Sequence, residues 1–211
     1  MDLELPMDKV SIVSHTTQDD RKINVVLVAP GSFNPPTFMH LRMLGPIPGE
    51  HRLRMCNLAC ESSDFIMVDP WEANQTYQRT LTILKRIESY FIDKNTDIQR
   101  SCLFVVLIFS NHSHPIPRVW IPEQARTICR EYGMVSIRRE GQDVEKIISD
   151  DEILNGNRSN IKVVDELVPN SVSSTRVREC ISRGLSIKYL TIDGVIEYIR
   201  ERQLYMNPIE K

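Results

Sequence analysis

The sequence predicts an α/β fold with a mainly parallel sheet and helices on both of its faces. Short runs of β-branched and apolar residues alternate along the chain with segments in which apolar residues recur at helical spacing. Several polar motifs come directly after a strand-like run. This alternation is typical of parallel sheets with helical crossovers, and in such sheets ligands bind beyond the carboxyl ends of the strands.

Each element rests on a local pattern. Residues 23–29 form a β-branched and apolar run that suits a buried parallel strand, and a short helix over 37–44 follows the next loop. Apolar residues recur at helical spacing over 77–91. Gly133 and Gly184 are expected to end two of the helices. The other predicted strands are 65–68, 102–109, 134–137 and 161–164, and the other predicted helices are 52–60, 122–132, 143–149, 175–183 and 193–203.

Composition indicates one domain of ordinary size. A chain of 211 residues, 41% hydrophobic and 26% charged, can bury a normal core, so we expect one domain over 22–206 after a disordered segment over 1–21. The formal net charge of -2 argues against a nucleic-acid partner. The longest apolar run, 102–109, is too short to span a bilayer, and no secretory signal is visible. We therefore expect a cytoplasmic or nuclear protein with no membrane partner.

The loop after the first strand is the first candidate site. Gly31 lets backbone N–H groups approach a ligand closely, and the helix start near Thr37 offers free N–H groups that favour an anion. His40 lies about one turn into that helix, where it can donate a hydrogen bond to a phosphate. Taken alone, such a histidine is more often an ordinary helix residue.

A second candidate phosphate site stands near the other end of the chain. Ser173, Ser174 and Thr175 follow the strand-like run 161–164 and open a predicted helix, with Arg178 one turn in. Hydroxyls, free N–H groups and a guanidinium at a helix start make a pocket for an anion. The plain alternative is a Ser or Thr N-cap with solvated arginines.

Two tryptophans lie in predicted loops. Trp71 follows the run 65–68, and Trp120 lies in the Pro-rich stretch 115–122. A flat π-surface at the end of a strand can stack on a cationic heteroaromatic ring, with a gain of roughly 0.5 to 2 kcal/mol. Taken singly, a tryptophan more often packs in a core than binds a ligand.

Together these segments resemble a known family. The string G-S-F-N-P-P-T-F-M-H-L-R at 31–42 resembles the nucleotidyltransferase signature G-x-F-x-P-x-[HT]-x-x-H, and in its finer detail it is similar to the nicotinamide (nicotinate) mononucleotide adenylyltransferases. Residues 173–178 match the S-S-T-x-x-R motif with which that family holds the phosphates of ATP. The resemblance covers nearly the whole chain and implies a Rossmann-like nucleotidyltransferase fold.

The resemblance implies a role for each matching residue. His40 would be the catalytic residue, as a donor to the triphosphate, and Trp71 and Trp120 would flank the nicotinamide ring. The other residues expected to bind substrate or ATP are Gly31, Ser32, Phe33, Glu72, Asn170, Ser173, Ser174, Thr175 and Arg178. No side chain is expected to bind metal directly, because Mg²⁺ would be held mainly by ATP phosphates and water.

The implied reaction is adenylyl transfer in NAD biosynthesis. The 5′-phosphate of nicotinamide or nicotinate mononucleotide attacks the α-phosphorus of ATP, which gives NAD or deamido-NAD and pyrophosphate. Catalysis of this type works by positioning and by neutralising charge on the transferring group. The choice between the two mononucleotides, and assembly into a homo-oligomer, are left open by the sequence.

Two stretches depart from the family pattern. Between Arg42 and His51 the family carries a second strand and a loop whose lysines meet substrate phosphate, whereas this chain has only the Gly- and Pro-containing linker 43–50. After 102–109 the family shows Gly-x-Asp, whose carboxylate binds the nucleotide, and this chain reads S-N-H-S-H. We therefore expect a shortened form that lacks one strand and one loop and has weak or absent activity.

Two other functions stay open. One is a non-catalytic nucleotide-binding variant, or a partner of a full-length subunit. The other is a different adenylyl or cytidylyl transferase with the same loop and fold, against which the paired tryptophans argue.

Overall fold

The computed structural model describes residues 4–9, 25–30, 47–93, 103–107, 121–138, 143–165 and 172–206. These residues fall into two compact units. The helical unit contains 4–9, 47–76 and 172–206, and the sheet unit contains 25–30, 77–93, 103–107, 121–138 and 143–165. The predicted division into a segment over 1–21 and one domain over 22–206 stays a prediction.

The sheet unit is built on a parallel sheet, whose described strands lie in the order β1, β2, β3, β4. They are β1 (Val26–Val28), β2 (Leu103–Leu107), β3 (Met134–Arg138) and β4 (Ile161–Asp165). Val105 pairs with Met134, and Met134 pairs in turn with Ile161, and all three side chains are buried. The predicted α/β class and parallel sheet are confirmed.

Helices and tight turns connect these strands. They are α2 (Thr80–Asp93), α3 (Pro122–Thr127), a π-turn directly after it (Ile128–Tyr132), α4 (Val144–Asp150), α5 (Glu152–Gly156) and a 3₁₀ turn (Arg158–Asn160). The hydroxyl of Tyr132 donates to Oε2 of the buried Glu88 at 2.7 Å, which joins the π-turn to α2. This bond satisfies a polar group whose burial would otherwise cost stability.

Gly133 ends the π-turn, as the sequence predicts, and leads into β3. Its φ of 91° lies in the left-handed region that favours glycine. A Cβ at this position would stand 2.8 Å from the ring of Phe104. Its N–H donates to the carbonyl of Ile128 at 2.9 Å, and its own carbonyl accepts from Val105 at 3.2 Å. The glycine therefore links a helix end to the sheet where no side chain fits.

The helical unit packs three helices around one hydrophobic cluster. They are α1 (Gly49–Cys60), α6 (Ser174–Ser182) and α7 (Asp193–Glu201), and a 3₁₀ turn (Glu72–Asn74) stands between α1 and α6 in chain order. The buried residues of the cluster are Met55, Val177, Ile187, Val195, Ile196, Ile199 and Leu204. Burying each large apolar side chain contributes roughly 1.5 to 3 kcal/mol. Nδ1 of His51 and the hydroxyl of Tyr198 share a hydrogen bond of 2.8 Å, which ties α1 to α7.

The predicted strand over 65–68 is wrong. Residues 66–70 have no regular structure, and Phe65 is 79% exposed. Oγ of Ser63 accepts hydrogen bonds from the N–H groups of Phe65 and Ile66, at 3.4 and 3.0 Å. The carbonyl of Ile66 accepts one from the amine of Lys9 at 3.2 Å. These bonds use backbone groups that a strand ladder would need.

The remaining predictions differ from the structure mainly at element ends. α2 begins at Thr80 rather than at residue 77, and α7 stops at Glu201 rather than at residue 203. α5 has no predicted counterpart, and the helix predicted over 37–44 lies outside the described residues. In the described part of the chain, no helix has the length and apolar character needed to cross a membrane.

Candidate functional site

The start of α6 is the described part of the second phosphate-binding motif. Ser173 is its N-cap: the backbone is extended, and Oγ accepts a hydrogen bond from the N–H of Arg176 at 3.2 Å. The carbonyl of Ser173 accepts one from the N–H of Val177 at 3.0 Å. The N-cap that the plain alternative predicts is thus present at this helix start.

Thr175 and Arg178 form a pair beside this helix start. Nη2 of Arg178 donates to Oγ1 of Thr175 at 3.2 Å. Thr175 is exposed and Arg178 half-buried, whereas Ser174 is buried. The first turn of α6 contains no acidic residue that would neutralise its positive end. A hydroxyl and a guanidinium held together at such an end can meet an anion such as phosphate.

The turn at Trp71 and Glu72 is held by its own polar groups. Oδ1 of Asp69 accepts a hydrogen bond from the N–H of Trp71 at 3.0 Å, and the N–H of Asn74 donates to the carbonyl of Trp71 at 3.1 Å. Burial raises the pKa of the Glu72 carboxyl, the charge of Arg52 lowers it, and the charge of Asp69 raises it. Because the residue as a whole is exposed, solvent screening limits this shift.

Half of the predicted site residues are described, and all of these belong to the helical unit. They are Trp71, Glu72, Ser173, Ser174, Thr175 and Arg178. The predicted site residues that lie outside the described ranges are Gly31, Ser32, Phe33, His40, Trp120 and Asn170. Their roles, and the stacking of nicotinamide between the two tryptophans, stay predictions.

Arg52 and Tyr205 belong to the same unit as the described site residues, and the sequence assigned neither of them a role. Burial raises the pKa of the Tyr205 phenol above its usual range, while the charges of Arg178 and Arg52 lower it and Cys56 raises it. The phenol is therefore within electrostatic range of both guanidinium groups. The ending Q-L-Y belongs to the family resemblance, but nothing in the sequence around Arg52 indicated that α1 would direct a cation here.

Burial keeps two of the described cysteines protonated, and the described residues form no metal cluster. Cys56, Cys60, Cys129 and Cys180 are free. Burial raises the pKa of Cys56 to about 12 and that of Cys129 to about 11, so both are thiols at neutral pH. Within the described ranges, no group of three or more His, Cys, Asp or Glu side chains is arranged to hold a metal ion.

Comparison with known proteins leads to the same family as the motifs. No protein-family model matches the chain. It is similar to the nicotinamide/nicotinic acid mononucleotide adenylyltransferase of Arabidopsis thaliana, with 52% identity over 238 aligned positions, 97% of this chain and 98% of the relative. It is 46% identical to the protein of that name from Oryza sativa subsp. japonica, over 97% of this chain and 95% of the relative. The second such protein of Saccharomyces cerevisiae is 32% identical, over 99% of this chain and 62% of the relative.

The aligned span also bears on the length of the chain. The comparison with the Arabidopsis protein covers 238 positions, which is more than the 211 residues present here. Part of that relative therefore has no counterpart in this chain, as the sequence predicts for a shortened form. Since the two proteins are 52% identical and nearly the whole of each is covered, the chain belongs to the nicotinamide/nicotinic acid mononucleotide adenylyltransferase family, the nucleotidyltransferases of NAD biosynthesis.

Proposed function

We propose that this chain binds ATP at the start of α6 and transfers its adenylyl group to nicotinamide or nicotinate mononucleotide, at a low rate in this shortened form. The observation that carries the proposal is the geometry of the S-S-T-x-x-R motif. A capped helix start pairs Thr175 with Arg178 and has no acidic residue in its first turn. Membership of the family supplies the reaction class.

The residues of α6 suit a triphosphate. The guanidinium of Arg178 can form charge-assisted hydrogen bonds to phosphate oxygens, and Oγ1 of Thr175 holds it at the helix start. Ser173 accepts a hydrogen bond from the backbone through its Oγ, which leaves its hydroxyl hydrogen to donate to phosphate. We assign these three side chains to the phosphates of ATP.

The rest of the proposed site follows the family pattern. His40 would donate to the triphosphate as negative charge develops on the leaving group. Trp71 and Trp120 would select the nicotinamide ring by stacking. Further contacts to substrate or ATP are assigned to Gly31, Ser32, Phe33, Glu72, Ser174 and Asn170.

The proposed step is an in-line displacement. A phosphate oxygen of the mononucleotide forms a bond to the α-phosphorus of ATP, and the bond from that phosphorus to the bridging oxygen breaks, so pyrophosphate leaves with the electron pair. Donors that neutralise charge are needed more than a base. A divalent metal, proposed to be Mg²⁺, would neutralise further charge when bound. Phosphate and water oxygens would be its main ligands.

A non-catalytic nucleotide binder is the second candidate, and the shortening of the chain favours it. Removal of one preorganised donor typically costs ~3 kcal/mol, or about 10² to 10³ in rate. Loss of both the lysine loop and the acidic nucleotide contact would cost roughly 10⁴ to 10⁶ if the two effects add. Such a chain would bind ATP and still release almost no pyrophosphate.

The experiment that tests the proposal measures binding and turnover on the same purified chain. Isothermal calorimetry gives the affinity for ATP with Mg²⁺, and pyrophosphate release is followed with each mononucleotide in turn. We expect ATP binding and slow pyrophosphate release that His40→Ala abolishes. ATP binding without release would favour the non-catalytic variant, absence of ATP binding would contradict both candidates, and an ordinary enzyme rate would contradict the predicted impairment.

Several properties stay predictions. They are one domain over 22–206, a cytoplasmic or nuclear location, assembly into a homo-oligomer, and the absence of nucleic-acid and membrane partners. Chromatography with light scattering measures the oligomeric state directly.

A further inference from the structure

The segment 4–9 is attached to the end of α1. Nζ of Lys9 donates to the carbonyl oxygen of Cys60 at 2.8 Å and to that of Ile66 at 3.2 Å, and Leu5 of the same segment is buried. Cys60 is the last residue of α1, and the last turn of this helix contains no basic residue of its own. A cation at a helix end bonds the free carbonyl groups and complements the negative end of the dipole. Lys9 supplies that cation from another part of the chain.

The chain after α1 returns to the start of this helix. The point where a Cβ on Gly49 would stand is 3.3 Å from the carbonyl oxygen of Ala73, so residues 61–73 connect one end of α1 to the other. α1 has 12 residues and is therefore about 18 Å long. Fully extended, the connection could span roughly 40 Å. It has more length than the distance requires, so the bonds that hold it determine its path.

The bond from Lys9 ties this connection to the helix, whereas the bonds of Ser63 and Asp69 shape it locally. Oγ of Ser63 accepts a hydrogen bond from the N–H of Ile66 at 3.0 Å, and Oδ1 of Asp69 accepts one from the N–H of Trp71 at 3.0 Å. Each of these bonds closes a turn of a few residues. Lys9 instead joins the carbonyl of the helix end to that of Ile66, which lies between the two turns.

We infer that Lys9 is a positioning residue of the candidate site: by joining the end of α1 to Ile66, it places the segment that leads into Trp71. The inference rests on the proposed function, which assigns Trp71 to the nicotinamide ring. Lys9 itself is assigned no contact with substrate. The start of α6 is not part of this connection, so the binding of ATP phosphates there should not depend on Lys9.

The chemistry of lysine suits this bridging place. Its ammonium carries three donors and no acceptor at the end of a flexible stem, so one group can serve two carbonyl oxygens. Hydrogen bonds from a charged donor are roughly twice as strong as neutral ones. A displacement of about 1 Å in a positioning element can cost up to 10²-fold in function. Loss of the ammonium should therefore weaken selection of the nicotinamide ring.

The test uses the full chain and three variants. Lys9→Met keeps an unbranched apolar stem and removes the ammonium, and Lys9→Arg keeps a cation with several donors. Lys85→Met is the matched control, because Lys85 is an exposed lysine of α2. Calorimetry measures the affinities for nicotinamide mononucleotide and for ATP with Mg²⁺ separately. Hydrogen exchange measured by NMR follows the N–H groups of Ile66 and Trp71 without ligand.

We expect Lys9→Met to weaken nicotinamide mononucleotide about three- to tenfold and to leave ATP within about twofold. Exchange of the N–H groups of Ile66 and Trp71 should become about tenfold faster, because the connection opens more often. Lys9→Arg should recover most of both changes, and Lys85→Met should cause neither. A purely structural contribution would lower the unfolding midpoint without distinguishing the two ligands.

Failure of the inference and failure of the proposed function give different results. If the unaltered chain does not bind the mononucleotide, the proposed transfer fails, and the positioning role falls with it. If the unaltered chain binds both ligands, the inference is overturned when Lys9→Met binds the mononucleotide equally well or loses as much affinity for ATP. It is also overturned when Lys85→Met shows the same loss. Should Lys9→Met fail to fold in a thermal melt, Lys9→Gln decides: equal weakening of both ligands, or of neither, overturns the inference.

Discussion

The starts of α4 and α6 are capped by a side-chain hydrogen bond of the same spacing and differ in charge. Asp143 caps α4, its Oδ1 accepting a hydrogen bond from the N–H of Lys146 at 3.0 Å, and Glu145 adds a second carboxylate in the first turn. Ser173 caps α6 with the same spacing, its Oγ accepting from Arg176 at 3.2 Å, and no acidic residue follows. Both helices satisfy one N–H group with a side chain.

The charge of the capping side chain decides whether the start of a helix still attracts an anion. Carboxylates at the start of α4 neutralise the positive end of that helix from within the chain. The neutral hydroxyl at the start of α6 fixes the backbone without adding negative charge to the positive end, and Arg178 adds a full positive charge one turn in. A negatively charged ligand is therefore favoured at α6 and disfavoured at α4.

The largest expected effect comes from removing the cation at α6. Arg178→Gln should weaken ATP binding by about 10- to 150-fold, because a hydrogen bond to a charged group is worth about 1.5 to 3 kcal/mol. Arg176→Gln is the control, since Arg176 lies in the same turn, is exposed, and pairs among the described residues with Glu179 at 3.9 Å. Equal losses for the two variants, measured by calorimetry, would show that the effect is general electrostatics and not a site.

A smaller effect should follow from giving α6 the cap that α4 has. Ser173→Asp keeps an acceptor for the N–H of Arg176, so the midpoint of thermal unfolding should hardly change. The new carboxylate would repel the triphosphate, with an expected loss in ATP affinity of about 5- to 30-fold. The reciprocal change, Asp143→Ser, should leave ATP binding unaltered. If Ser173→Asp binds ATP as well as the original chain, the charge of the cap does not control anion binding at α6.

The smallest effect concerns the caps as stabilising groups. Ser173→Ala and Asp143→Ala each remove one capping hydrogen bond, and each should lower the free energy of unfolding by about 1 kcal/mol. For a chain of 211 residues this lowers the unfolding midpoint by about 2 to 4 °C in calorimetric melts. Only Ser173→Ala should also weaken ATP binding, by a few-fold at most. A stable Ser173→Ala variant would show that the cap contributes nothing to the helix.

The sequence predicted most of the sheet because its strands are defined locally. The β-branched and apolar runs at β1, β2, β3 and β4 are all found as strands, and family membership confirms the Rossmann-like nucleotidyltransferase fold. The strand predicted over 65–68 was wrong because Phe65 is exposed and Oγ of Ser63 accepts a backbone hydrogen bond from Ile66. The spacing of apolar residues does not reveal such a side-chain bond. α5 had a local signal that was missed: Asp151 accepts from two N–H groups directly after α4 ends.

The candidate site was predictable to the extent that it consists of continuous motifs. The hydroxyls and Arg178 of α6 form one motif in the sequence, and the structure confirms them as a capped helix start. Tyr205 stands far from that motif along the chain, yet it packs against the cluster to which α1 and α6 both contribute. A single sequence carries no signal for tertiary contacts of this kind.

Gly133 limits which substitutions the protein can tolerate during evolution. Its backbone angle and the 2.8 Å approach to the Phe104 ring each exclude a side chain, whatever the chemistry of that side chain. Every missense allele at this codon should therefore be depleted in a saturation screen for folded protein, conservative alanine included. Gly156 has open space around it and no such angle, so alanine there should be inherited without penalty.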